Sequence, residues 1–156
     1  MIRRLIGGLA LLAVSGSLVA CGDTNSGPTA WQQAVITLQR TPCLGACPAY
    51  VVTVQGDGTV FYKGVQHAPF IGTRQGKVAP ADVQRLVAAF DAAGFWALPD
   101  SYSGGPTDQP AAITTLVAGS RHKTINDYGG SPAAPPALRA LESQIDTVVN
   151  TAQWDR

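Results

Sequence analysis

Tyr50-Val51-Val52-Thr53-Val54-Gln55-Gly56-Asp57-Gly58-Thr59-Val60-Phe61-Tyr62 holds two β-branched and aromatic runs around a single Asp-Gly. Such runs favour strands, and an Asp-Gly between them favours a tight hairpin, because Gly58 takes positive φ without a Cβ penalty. The stretch therefore predicts adjacent antiparallel strands over residues 50–54 and 59–62. Upstream, Val35-Ile36-Thr37-Leu38 reads as another strand, and a further short one is expected around residues 70–78, interrupted by Gly72 and Gly76.

From Pro80 the hydrophobic period changes. Val83, Leu86, Val87 and Phe90 fall at i, i+3, i+4 and i+7, the spacing of one helix face. Pro80 suits the first helical turn, Asp82 complements the positive helix start, and Gly94 stops the helix. Phe95-Trp96-Ala97-Leu98 continues apolar and is expected under the helix end, and residues 100–110 (DSYSGGPTDQP) read as loop. Ile113 to Val117 and His122 to Ile125 flank Gly119-Ser120, a second hairpin. After the prolines at 132 to 136, residues 137–149 form a second helix with Leu138, Leu141, Ile145 and Val148 on one side. Strands do not alternate with helices, so a doubly wound fold is excluded. The expectation is α+β: an antiparallel sheet built from hairpins with two helices packed on one face.

The start of the chain carries a different message. Arg3-Arg4 precedes 16 apolar and small residues, Leu5 to Ala20, fewer than the about 20 a spanning helix needs. The run closes on Leu18-Val19-Ala20-Cys21. This block resembles the lipobox of bacterial lipoprotein signal peptides. The resemblance implies a diacylglycerol thioether on Cys21, cleavage before it, and acylation of the new amino terminus. The expected organisation is a lipoprotein signal peptide over residues 1–20, a lipidated tether over 21–33 and a single α+β domain over 34–156. Residues 22–29 (GDTNSGPT) have the composition of a flexible linker. About ten such residues span on the order of 17 Å on average and about 35 Å when taut, which keeps the domain near its membrane. The expected location is the cell envelope. Gly22 after Cys21 resembles outer-membrane sorting, facing the periplasm, where a host has two membranes.

Loss of Arg3 and Arg4 with the leader takes the 11 basic residues to 9, against 10 acidic ones. No basic stripe or charged tail remains, which argues against nucleic acid as a partner. The remaining 136 residues suit one domain with one core.

Cys43 and Cys47 are the two thiols left once Cys21 is acylated. In an oxidising compartment an even pair is expected to be bridged, and Gly45 lets the short loop turn back on itself. The alternative is a reversible dithiol or a soft-metal site, with His67 or His122 as a further ligand. Thr41-Pro42-Cys43 to Cys47-Pro48 resembles the T-x-C-x-x-x-C-P segment of envelope copper chaperones. In those proteins the segment opens a helix, which lowers a thiol pKa, whereas residues 49–54 here read as strand.

Other chemistry is scarce. The chain lacks G-x-S-x-G, S-x-x-K and H-E-x-x-H, and its glycines do not follow a strand-to-helix pattern that cradles phosphate. No catalytic residue and no cofactor are expected. The loop bearing Thr107 and Asp108 reads first as a turn held by its own side chains. Its functional alternative is a binding surface formed with Tyr102, Tyr128 and Trp96.

Ile36-Thr37-Leu38, Thr41 to Tyr50 with its Cys-x-x-x-Cys-Pro, and Gly56-Asp57-Gly58-Thr59-Val60 together resemble domain-of-unknown-function family 6438. The likeness continues through Phe90, Phe95 to Leu98, Tyr102, Thr107-Asp108, Lys123 and Tyr128-Gly129-Gly130, roughly residues 36–146. It implies an exported bacterial lipoprotein and no agreed activity. The expected function is a membrane-anchored envelope lipoprotein with a non-catalytic domain. Its partners would be the bilayer, through acylated Cys21, and an envelope protein or ligand. The alternative is a copper-binding or thiol-redox protein using Cys43 and Cys47.

Overall fold

The computed structural model describes residues 29–150 and 152–154. The leader, Cys21 and the first part of the tether lie outside the described residues. Eight strands form one sheet: β1 (Val35–Arg40), β2 (Ala49–Gln55), β3 (Thr59–Gln66), β4 (Gly72–Lys77), β5 (Ser101–Tyr102), β6 (Ala111–Ala118), β7 (Arg121–Tyr128) and β8 (Gln153–Trp154). Helix α1 (Pro80–Ala92) follows β4, and α2 (Pro136–Asn150) follows β7. The spatial order is β5-β7-β6-β1-β2-β3-β4-β8, antiparallel throughout except for β5 against β7.

The hairpins fall where the turn residues put them. Gly58 has φ +85°, and a Cβ there would run into the Val78 carbonyl oxygen, so a side chain is excluded on two counts. Asp57 accepts hydrogen bonds from Thr59 N (2.8 Å) and Thr59 Oγ1 (2.9 Å), which fastens the turn to the outgoing strand. At the second hairpin Ala118 pairs with Arg121 across Gly119 (φ +60°) and Ser120. The α+β expectation holds: α1 and α2 share one core with the sheet. Ile36, Leu38, Val52, Val54, Leu116 and Ile125 meet Val83, Leu86, Phe90, Leu138, Leu141 and Ile145, all buried. Val87 and Val148 are half-buried against this core, and on α2 it is Val149 that completes the buried stripe. Phe95 sits edge-on to Phe90, centroids 4.7 Å apart, as expected for the apolar run beneath the end of α1.

Three details depart from the sequence expectations. The strand around residues 70–78 starts only at Gly72; Phe70 remains in the preceding bend and packs on Tyr62 and Trp154 instead. Ser101 and Tyr102, expected in a loop, pair in parallel with Asn126 and Asp127 and bury Tyr102 in the core. Gln153 and Trp154 return after α2 to pair with Lys77 and Gly76. Two-residue strands carry no periodicity, so composition alone assigns them to loops.

Candidate functional site

Strand register places the functional candidates. Inward side chains repeat every second residue, so neighbouring strands align them in rows. Two rows are apolar or nearly so: Val54, Ile36 and Leu116, then Val52, Leu38, Thr114 and Ile125. The next row toward the far end of β1 is different. It runs Tyr50, Arg40, Ala112, Asp127 across β2, β1, β6 and β7. Above it α2 presents Arg139, Glu142 and Asp146.

These groups form three ion pairs, two of them sharing Arg40. Arg40 donates to Asp146 Oδ2 from Nη2 (2.8 Å) and Nε (3.3 Å), and from Nη1 to Glu142 Oε2 (3.4 Å). The Tyr50 hydroxyl donates to the other Asp146 oxygen at 2.6 Å. Arg139 donates from Nε to Asp127 Oδ2 (3.1 Å) and from Nη2 to the Ser131 carbonyl (2.5 Å). Asp127 and Glu142 are buried, at 2% and 3% exposure. Each uses one carboxylate oxygen only: Asp127 Oδ1 and Glu142 Oε1 are buried without a hydrogen-bond partner among the described residues.

Electrostatics follow from this crowding. Burial pushes the Glu142 carboxyl up to about 7; Arg40 pulls against the shift, while nearby Asp127 adds to it. Burial and the bond to Asp146 push the Tyr50 phenol well above its ordinary value. Burial opposes the Arg40 charge, but Asp146 and Glu142 outweigh it and hold the guanidinium above the usual arginine range. With every carboxyl ionised, the cluster of Arg40, Arg139, Asp127, Glu142 and Asp146 carries one negative charge in excess.

A pocket of about 450 Å³ opens onto this cluster, within the size range of ligand sites. Arg40, Tyr50, Asp127, Arg139 and Glu142 line it, with Pro48 and Pro110 on its apolar wall and Ser143 on α2 at its side.

The cysteines lie beside it. Cys43 and Cys47 form a disulfide with Cα atoms 5.6 Å apart, and Cys47 lines the pocket. The bridge brings the chain round from β1 into β2. Thr41 secures the loop: its N donates to the Ala111 carbonyl (2.9 Å), and its Oγ1 accepts from Ala111 N (2.7 Å). His67 is exposed in the bend after β3 with φ +52°, and His122 is exposed on β7. Among the described residues no group of three His, Cys, Asp or Glu converges as a metal site. The two sulfurs and His67 are therefore not brought together as ligands.

The candidate binding loop is divided. Thr107 and Asp108 are exposed at its tip, and Asp108 has φ +67°. Tyr128 braces the loop from within: its hydroxyl donates to the Pro106 carbonyl (2.7 Å) and accepts from Gln109 N (3.0 Å). Gly105 (φ +92°) passes so close to Gly130 that a Cβ would strike its carbonyl oxygen. Tyr102 is a correction to the proposed surface: its parallel pairing turns the ring into the core, at 8% exposure. Trp96 faces elsewhere, under the Arg121 guanidinium, which lies 4.1 Å from the ring centroid.

Sequence reasoning passed over Arg40, Asp127, Arg139 and Glu142. A signal existed for one of them. Glu142 is the sole glutamate of the chain and falls four residues after Leu138 and three before Ile145, squarely on the apolar stripe of α2. A carboxylate on a buried stripe needs a partner or a purpose.

The chain belongs to the family described as a domain of unknown function, DUF6438, whose profile spans residues 34–149. No curated protein matches it.

Proposed function

We propose that this chain is a lipid-anchored protein of the bacterial cell envelope, held through acylated Cys21, whose domain binds a ligand or partner without transforming it. The pocket over the charged row carries the binding half of this reading. It is concave, partly apolar, and lined by charged groups whose positions are fixed by strands and a helix rather than by loops. The leader block Arg3-Arg4 through Cys21 supports the anchoring half. Chain direction supports both together. The domain is entered at Ala34, whose carbonyl accepts from Gly56 N at the Asp57-Gly58 end of the sheet, while Arg40 and the pocket stand at the opposite end of β1. The tether thus joins the domain at the end of β1 opposite the pocket, which leaves the pocket free of the attachment point.

The reading predicts a membrane-extracted protein that begins at Cys21 and carries acyl chains, more than one of which gives stable anchoring. Mass spectrometry reads this directly; an unmodified Cys21, or retention of residues 1–20, refutes it. For the pocket, Ser143→Trp puts a bulky side chain into it from an exposed helix position and replaces none of the ion-paired residues. Cross-linking in native membranes should lose its specific products in this variant, and products unchanged in identity and yield would refute the pocket as the binding seat.

The copper or thiol-redox alternative rests on Cys43 and Cys47 and on the exposure of the loop between them, where Leu44 is 85% exposed. Against it, the chain after Cys47 continues into β2, so the cysteine segment does not itself open a helix whose N-terminus would stabilise a thiolate.

A further inference from the structure

We propose that the pocket takes a primary ammonium group on a short aliphatic stem, seated between Glu142 and Asp127. This deepens the binding function proposed above and rests on it. Two buried carboxylates each leave one oxygen unpartnered, and both residues line the same pocket. A buried acceptor without a donor is costly, and two from different strands and helices, meeting at one cavity, mark a place where a donor is missing. The charge count has the same gap. Arg40 and Arg139 face Asp127, Glu142 and Asp146, so one further cation balances the set.

The chemistry narrows the cation. A water molecule donates to both oxygens but leaves the charge excess. A hard divalent ion takes about six or more oxygens, and among the described residues no group of three metal-binding side chains converges. A quaternary ammonium has no N–H to give. A primary ammonium is compact and carries three donors, enough for both free oxygens with one to spare. Pro48, Pro110 and the Tyr50 ring supply apolar wall for its stem. Both oxygens are closed off from solvent, so entry of the ammonium requires Arg139 to give way; its side chain is 42% exposed, and it would exchange its Nε bond to Asp127 and its Nη2 bond to the Ser131 carbonyl.

The proton is the natural competitor. The groups facing Glu142 are Arg40 from β1, Tyr50 from β2, Asp127 from β7, and Arg139 and Asp146 from α2 itself. With the pocket empty, Glu142 relieves the excess charge by protonation near neutral pH; a bound ammonium reverses this and expels the proton.

The test uses the full chain purified in detergent, titrated by calorimetry with butylamine, with butanol as the neutral control and with Nα-acetyl-lysine amide. Butylamine should saturate one site at pH 8, bind at least tenfold more weakly at pH 5.5, and release protons on binding near pH 7. Butanol should not bind. Glu142→Gln, which keeps shape and removes charge, should weaken the amine at least tenfold at pH 8 while the protein stays folded by circular dichroism. Arg139→Ala, which removes the competing cation, should tighten it. Acetyl-lysine amide binding above butylamine assigns the group to a lysine side chain of a partner, and the reverse order assigns it to a free amine. Absence of saturable butylamine binding at pH 8, or equal binding by folded Glu142→Gln, overturns the proposal. Loss of cross-links in Ser143→Trp alongside such a result would leave the pocket as a binding seat for other chemistry.

Discussion

One interlayer between sheet and helices ends in two opposite ways. At the end where the chain enters, Val54, Ile36 and Leu116 meet the helices in an apolar, closed core with no exposure to speak of. At the other end Tyr50, Arg40 and Asp127 meet Arg139, Glu142 and Asp146, and a pocket remains. The same strands and the same α2 build both. The apolar end gains stability from every buried methyl group. The polar end gives some of it back, because buried ion pairs repay their desolvation only with full hydrogen bonding, and two oxygens here lack it. A fold selected for stability alone would extend the apolar rows, and the exception points to use.

The largest expected effect lies at the apolar end. Phe90→Ala removes a fully buried ring that stacks edge-on with Phe95, and should cost about 3–5 kcal/mol in denaturant unfolding. A loss below about 1 kcal/mol would mean that this end repacks easily and is not the rigid half.

The polar end should answer to pH instead. The folded protein holds the Glu142 proton up to about 7, against an ordinary value of 4.5, so folding favours the protonated form. Its contribution is therefore fully present below pH 4.5 and lost as pH rises through about 7, by up to about 3 kcal/mol. Melting temperature should rise between pH 8 and pH 5.5, and Glu142→Gln should flatten that rise. An unchanged slope in the variant would place the titration elsewhere.

A smaller effect belongs to the rim of the pocket. Closing so short a loop restricts the unfolded chain little, so Cys43→Ser with Cys47→Ser should cost about 2 kcal/mol and leave the fold intact. The same pair should resist mild reductant; ready equilibration with a glutathione redox series would favour the redox alternative. Smallest of all is the exposed Arg85–Asp82 pair on α1, on the surface of the stable half. Arg85→Ala should shift stability by less than about 0.5 kcal/mol, as exposed pairs usually do.

These two ends were not equally legible. The apolar end announces itself through local period: β-branched alternation in residues 50–62, and a stripe of Val83, Leu86 and Phe90 on α1. Each pattern can be read within one window of chain. The polar row cannot, because Arg40, Tyr50, Ala112 and Asp127 become neighbours only once four strands are in register. Arg40 is two residues beyond Leu38, and Asp127 two beyond Ile125, so alternation does place both on the inner face. What it does not show is that they stand in one row. Tyr102 failed for a related reason: its burial depends on a two-residue parallel pairing that no pattern encodes.

Those short pairings matter beyond the core. A sheet edge is a row of free N–H and C=O groups that invites another chain. Here β5 covers part of one edge and β8 part of the other, each for two residues. The stretches they leave open carry exposed charge: Arg121 along β7 and Arg74 along β4. Desolvating such side chains opposes strand-to-strand joining. Short as they are, β5 and β8 thus act on the molecule's neighbours as well as on its core, by disfavouring edge-to-edge pairing between copies of the domain.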